Sequence, residues 1–152
     1  MVTISNVLLS TDFSDFSLSA ADYAITVARL NNATLHLLHV VEKTPPILAI
    51  RSLDLSEDKI LKGILSEAEE NLGKVVKKLE AESGLKVVAS VVRGIDYQEI
   101  VDYAAGNKID MIVIATHGRT GLLHTLIGSV AEKVIRYSKV PVLVVTPGEA
   151  KS

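Results

Sequence analysis

The chain has no cysteine and no tryptophan in 152 residues, and its aromatic fraction is only 4%. Without cysteine there can be no disulfide, no thiol nucleophile and no cysteine-bound zinc or iron–sulfur cluster; the absence fits a reducing compartment. So few rings argue against the stacking platforms of single-strand nucleic-acid binders. Charge of one sign is lacking too: 16 Lys and Arg against 18 Asp and Glu leave a formal net charge of −2. That gives no electrostatic case for DNA, RNA or an anionic membrane as partner. No apolar run approaches the roughly 18 residues of a membrane span. The first residues lack the basic start and small-residue cleavage pattern of a signal peptide. A cytoplasmic protein with one domain over residues 1–148 and a short tail at 149–152 is the expectation.

What the chain does have is a hydrophobic fraction of 48%, ample for a single core at this length. It also has strand-like and helix-like segments in alternation. Asn6–Ser10 reads as a first strand. A helix capped by Ser14 or Asp15 runs to about Asn31, with Leu18, Ala21, Ile25, Ala28 and Leu30 as its apolar repeat. Thr34–Val41 is a second strand, and Lys43-Thr44-Pro45-Pro46 ends regular structure. A long amphipathic helix spans about Ser56–Ser83, its stripe running from Ile60 through Ala68 and Leu72 to Leu79, with Gly84 as its C-cap. Lys86–Val92 is a third strand and Arg93-Gly94 a turn. Asp96–Ala105 is a helix, Met111–Ala115 a fourth strand without polar alternation, Ser129–Ser138 the last helix and Val140–Val145 the last strand. The fourth strand should be covered on both faces. Five strands with helices between them predict one doubly wound α/β domain with a parallel sheet, helices on both faces. The loop Glu42–Leu55 is long enough to fold over a ligand.

Ligands of open α/β sheets sit at the carboxyl ends of strands, where the strand order reverses. Ser10-Thr11-Asp12-Phe13-Ser14, His39-Val40-Val41 and Ala115-Thr116-His117-Gly118 lie at such ends, and the first and fourth strands should be neighbours, so these loops should converge. Asp12 has two readings: it accepts hydrogen bonds from a ribose or adenine amino group, or with Ser14 it only caps the first helix. Gly118 and Gly128-Ser129 bracket nine residues, Arg119 to Ile127. In one reading Gly118 turns tightly beneath a phosphate, whose oxygens take the Ser129 hydroxyl and the N–H groups of Ser129 and Val130 at a helix start, while Arg119 adds charge-assisted bonds. In the other, the glycines only make a turn and Ser129 is an N-cap. His117 either touches the ligand or bonds to backbone as a polar loop residue. His36, His39 and His124 have no convergent carboxylates, so no metal site is suggested; His39 reads as a hydrogen-bonded interior histidine. Val142, Leu143, Val144 and Val145 form an apolar strand that chain order puts at a sheet edge, and such an edge invites pairing. A homodimer through it is the expectation.

In combination, Leu9-Ser10-Thr11-Asp12-Phe13-Ser14, Leu37-Leu38-His39-Val40-Val41, Ile114 to Gly121, Ile127 to Ile135 and Val140 to Val145 resemble the nucleotide-binding branch of the universal stress protein (UspA) family, over about Ser5 to Val145. The family's ATP signature is glycine, two residues, glycine, nine residues, then glycine with serine or threonine. Here it aligns on Ala115, Gly118 and Gly128-Ser129, with alanine standing where the signature has glycine. The resemblance implies a Rossmann-like sheet of order 3-2-1-4-5 and dimers through the last strand. It implies that Asp12 faces adenine and ribose, that the Val40 backbone reads the adenine edge, and that Ile114 and Ala115 pack on the ribose and α-phosphate. Gly118, Gly128, Ser129 and Val130 would hold the phosphates, with Arg119 in support; Thr11 and His117 complete the nucleotide-binding set. The ligand implied is ATP, AMP or ADP, with a divalent cation such as Mg on the phosphates, in a stress-response regulator that signals to a protein partner. No catalytic set stands out, so turnover would be slow hydrolysis or self-phosphorylation at most. An adenylyl transferase or ATP pyrophosphatase would need a different loop from Thr11-Asp12-Phe13-Ser14. A branch of the family that binds no nucleotide and acts by protein contacts is the alternative that Ala115 favours.

Overall fold

The computed structural model describes residues 1–43, 57–117 and 127–146. Five strands form one parallel sheet in the order β3-β2-β1-β4-β5: β1 is Asn6–Ser10, β2 Thr34–Glu42, β3 Val87–Gly94, β4 Met111–Ala115 and β5 Val142–Val145. The helices among the described residues are α1 (Asp15–Leu18), α2 (Ala21–Asn31), α3 (Glu57–Ser83), α4 (Asp96–Gly106) and α5 (Ser129–Tyr137). They cover both faces, as the strand composition requires. Val7, Leu8 and Leu9 of the central strand are all 0% exposed, because successive side chains point to opposite faces and both are packed. Val7 and Leu9 join Leu35, Leu37 and Val113 against Ala21, Ala24, Ile25 and Ala28 of α2 and Leu72 and Leu79 of α3. Leu8 joins Leu38, Ile112 and Ile114 against Ile100 and Ala104 of α4 and Ala131 and Val134 of α5. Among the described residues no helix is long and apolar enough to cross a membrane.

The helix expected over residues 14–31 is in fact two, parted at Ser19-Ala20. The cause lies in three serines that compete with the helical ladder. Ser14 caps α1 by accepting from the Ser17 N–H at 3.1 Å. The Ser17 hydroxyl donates to the Ser14 carbonyl at 2.9 Å and the Ser19 hydroxyl to the Phe16 carbonyl at 2.6 Å. Ala20, fully buried, is then the N-cap of α2. Leu30, placed inward by periodicity, is 81% exposed. It lies two residues, about 200° of helix, beyond the inward Ala28. Asn32 ends α2 in the left-handed region, φ 53°, which an asparagine side chain tolerates. Gly84, at φ +71°, follows α3 as a C-cap.

Two strand ends also differ from expectation. Arg93 and Gly94 are not a turn but the last pairs of β3, opposite Val41 and Glu42. A Cβ at 94 would meet only the Glu99 side chain of α4, which can swing aside. β5 starts at Val142 rather than at residue 140, although the Pro141 carbonyl still accepts from Ile112 N–H at 2.9 Å. The segments at 44–56, including most of the loop expected to fold over a ligand, lie outside the described residues.

His36 sits on β2 beneath α4, 8% exposed. Its Nδ1 lies 2.9 Å from the Tyr103 hydroxyl and its Nε2 3.2 Å from Asn6 Oδ1, an arrangement that fits the neutral ring. Burial lowers its pKa below the ordinary 6.5. The unfolded chain therefore takes up a proton near pH 6.5 that the folded chain refuses, and stability contributed by the neutral ring above that pH is lost as pH falls through the lowered value. Urea unfolding at pH 7.5 and pH 5.5 should show a drop in midpoint that His36→Gln reduces; an identical drop in the variant would remove His36 as its source.

Candidate functional site

The carboxyl ends of β1, β2 and β4 meet the start of α5 around a cavity of about 680 Å³. Its walls include Thr11, Asp12, Val40, Ile114, Ala115, His117, Gly128, Ser129 and Val130. The structure thus brings together all the nucleotide-site candidates that it describes. Gly118 and Arg119 lie outside the described residues.

The first wall is the turn after β1. The Thr11 N–H donates to Leu38 O at 3.0 Å and holds the turn to β2. The buried Thr11 hydroxyl lies 2.8 Å from Ser17 Oγ and accepts from Phe13 N–H at 3.0 Å. Phe13 adopts φ 70°, a left-handed conformation that costs a non-glycine residue about 1–3 kcal/mol. It is held there by stacking on His39, with ring centroids 4.1 Å apart. His39 is an interior residue whose Nδ1 lies 2.8 Å from the Thr11 carbonyl. Asp12 does not cap the helix; its Oδ1 accepts from the Ser14 N–H at 3.0 Å and the Ser14 hydroxyl at 2.5 Å, and Ser14 in turn caps α1. The carboxylate is therefore fixed, half-buried, at the cavity wall.

The opposite wall is the start of α5. Gly128, not Ser129, is its N-cap, at φ −69° and ψ 160° with no side-chain cap bond. Ser129 is the first helical residue and is exposed, so the reading of its hydroxyl as a cap does not hold. The first intrahelical bond runs from Glu132 N–H to Gly128 O at 3.0 Å. The N–H groups of Ser129, Val130 and Ala131 thus have no intrahelical acceptor, and the helix dipole adds partial positive charge there. Gly128 N–H donates to Thr116 O at 2.6 Å, which pins the helix start against the end of β4. A Cβ on residue 128 would stand 2.6 Å from that same carbonyl. Glycine is required by the approach of two backbones, since its φ is one that any residue adopts.

Several wall residues were not singled out from sequence. Glu67, Ala68 and Asn71 of α3 and Asp96 and Ile100 of α4 also face the cavity. Glu67 and Asn71 read as part of the solvated side of an amphipathic helix, and only the packing of α3 across the strand ends brings them to the rim. Thr116, the residue between Ala115 and His117, is 3% exposed, and its hydroxyl has no hydrogen-bond partner among the described residues. Carboxylates from Asp12, Glu42, Glu67 and Asp96 line the cavity along with the amide-rich helix start. The site is thus polarised, able to accept from hydroxyl or amino groups and to donate to an anion.

A family profile described as the universal stress protein family matches residues 3–146. The chain belongs to the universal stress protein family. Universal stress protein MJ0531 of Methanocaldococcus jannaschii is 38% identical to this family member over 141 residues, 91% of this chain and 80% of its own. MJ0577 of the same organism is 33% identical over 155 residues, covering 95% and 96% of the two chains. The structure of MJ0577 superposes with a TM-score of 0.83 over 98% of this stress protein and all of that chain. A universal stress protein solved in complex with cAMP is 28% identical, with a TM-score of 0.64 over 97% of this chain and 100% of the other. The sheet order β3-β2-β1-β4-β5 is that expected of the family.

Proposed function

We propose that this universal stress protein binds an adenine nucleotide, ATP or its di- or monophosphate, in the cavity at the ends of β1, β2 and β4, and regulates a stress response through that occupancy. The observation that carries the reading is the start of α5. Three amides without intrahelical acceptors belong to residues that line a cavity of about 680 Å³, within the range of small-ligand sites, beside a glycine whose missing Cβ lets the helix start close on the end of β4. A 28% identical relative crystallised with cAMP supports the ligand class. In this reading Asp12, next to Thr11, accepts from ribose or adenine, the Val40 backbone meets the adenine edge, and Ile114 and Ala115 pack on the ribose and α-phosphate. Gly128, Ser129 and Val130 hold phosphate oxygens, with Gly118, Arg119 and His117 on the same side and a divalent cation such as Mg accompanying the phosphates. The output is occupancy, read by a protein partner in the cytoplasm, with hydrolysis slow at most.

Calorimetric titration with ATP and AMP tests the reading. Heat of binding is expected for the wild-type chain, and Ser129→Ala should weaken it by roughly 1–2 kcal/mol, the scale of one hydrogen bond to a charged group. No heat with either nucleotide, and no nucleotide released on denaturing the purified protein, would overturn it. We also propose a homodimer through β5. The strand ends the sheet, and Val142, Leu143 and Val144 are half-buried along an edge that no other described strand pairs, and an apolar edge of this kind suits a partner strand. Size-exclusion chromatography with light scattering at tens of micromolar (an order of magnitude set by weak-dimer affinities) should give twice the chain mass; a monomer throughout would sink the proposal.

A further inference from the structure

We infer that His39 is a positioning residue of the ligand site: it holds the residues on both sides of Asp12 and so presets that carboxylate for the nucleoside part of the ligand; the inference rests on the adenylate reading above. His39 occupies a place where an apolar side chain would pack. On β2 it shares a face with Leu35, Leu37 and Val41, all buried, and is itself only 7% exposed. An imidazole in such a place costs free energy unless its nitrogens are bonded. The bond that it makes is specific. Ser10 of β1 pairs with Leu38, so Thr11 is the next residue along beside His39, and Nδ1 lies 2.8 Å from the Thr11 carbonyl. A carbonyl oxygen only accepts, so Nδ1 carries the hydrogen and donates it.

That bond fixes the peptide group between Thr11 and Asp12. Its carbonyl accepts from His39, and its N–H, which belongs to Asp12, donates to Ser17 Oγ at 3.3 Å. On the other side of Asp12 stands Phe13, at φ 70°, a conformation unfavourable for a side chain of that size. The Phe13 ring stacks on the His39 imidazole, with centroids 4.1 Å apart and 27° between the planes. One imidazole thus touches both neighbours of Asp12, the residue before it through a ring nitrogen and the residue after it through the ring face. Between these two points the carboxylate stands at the cavity wall, its Oδ1 accepting from the Ser14 N–H at 3.0 Å. Without the imidazole, Phe13 can relax out of the left-handed region, and Asp12 turns with it. A preset carboxylate accepts from a ribose hydroxyl or an amino group without the ordering cost that a loose one incurs. Leucine at position 39 would supply neither contact, phenylalanine only the stack and asparagine only the donor.

A double-mutant cycle in the full-length chain, read by calorimetry with ATP, tests this. His39→Phe keeps a ring against Phe13 and removes the donor; His39→Asn keeps a donor near the place of Nδ1 and removes the ring. Each should weaken ATP binding about tenfold, the scale of one hydrogen bond to a charged group. Asp12→Asn, which keeps an oxygen for Ser14 and removes the charge, should weaken it by a similar factor. In the Asp12→Asn background either His39 substitution should then cost less than about twofold more. A histidine that merely supports the fold, or that touches the ligand itself, would cost as much in that background as in the wild type, and such a result overturns the inference. So does wild-type affinity in both His39 variants or in Asp12→Asn, and so does failure of both His39 variants to fold. Without ligand, the Ser14 amide should exchange with deuterium faster in the two His39 variants than in the wild type; unchanged exchange also overturns the inference. An absence of ATP heat in the wild-type chain, with faster Ser14 exchange in the variants, would instead sink the adenylate reading while leaving His39 as the residue that sets Asp12.

Discussion

Gly128→Val should leave the ATP titration flat. A Cβ at 128 would lie 2.6 Å from Thr116 O, with the His117 Cα and Nδ1 both at 3.6 Å. The nearest atom belongs to backbone at the end of a buried strand and cannot rotate away, as the tip of a flexible side chain could. The start of α5 must then move off β4, which stretches the bond from Gly128 N–H to Thr116 O and tilts the amides of Ser129 and Val130 away from the phosphate position. The observed φ of −69° suits valine, so backbone strain contributes nothing and crowding accounts for the whole effect. Local overpacking of this kind costs about 1–3 kcal/mol, within the reserve of an ordinary domain. Far-UV circular dichroism should therefore remain that of a folded α/β protein, with a lower melting temperature. Retained ATP binding would exclude the helix start as the anchor, whereas a chain that no longer folds would make Gly128 a purely structural requirement.

Leu9→Ala is expected to have the largest effect on stability. Leu9 is 0% exposed in the central strand, in register with Leu37 of β2 and Val113 of β4. Its side chain belongs to the core formed with α2 and α3. A strand paired on both sides cannot collapse into the space left behind, so the loss combines transfer free energy and cavity, about 2–5 kcal/mol. That is a large part of the roughly 5–15 kcal/mol that holds a domain folded. Leu30→Ala supplies the contrast within the same chain. Leu30 is 81% exposed, and its removal should change stability by no more than about 0.5 kcal/mol. Urea unfolding of the two variants measures both; similar midpoints for the two would contradict the assignment of the core.

The fold was legible because apolar runs and helical periodicity are local signals that the packing obeys. Met111–Ala115 is a strand with the bounds read from sequence, and the long helix runs through every described residue of its expected span, Glu57–Ser83. Legibility failed where side chains bond to nearby backbone. Ser14, Ser17 and Ser19 divide one periodic stretch into two helices, and periodicity carries no trace of that. Arg93-Gly94 has the composition of a turn, yet pairing with Val41 and Glu42 keeps it extended. Tertiary pairing outweighs turn propensity there. The convergence of Thr11, Asp12, Val40, Ala115 and Ser129 was predictable because strand ends are placed by topology. Glu67 and Asn71 were missed because the angle at which a helix crosses a sheet is not written in its amphipathic pattern. The unsatisfied hydroxyl of Thr116 was invisible for a different reason: whether a polar group lacks a partner depends on everything around it.

The sheet is assembled out of sequence order. The first strand lies in the middle, with residues 34–42 on one flank and residues 111–115 on the other. The N-terminal portion carries β1, β2 and β3, one half of the sheet, while the far flank of β1 is paired only by residues from 111 onward. Asp110 then clasps the Ser5 and Asn6 amides at 2.7 and 2.9 Å, more than a hundred positions away along the chain. The cavity opens on that seam, taking Thr11 and Asp12 from the N-terminal portion and Ala115 and Ser129 from the C-terminal one. A ligand seated there would touch both portions at once and would hold the junction like a rivet.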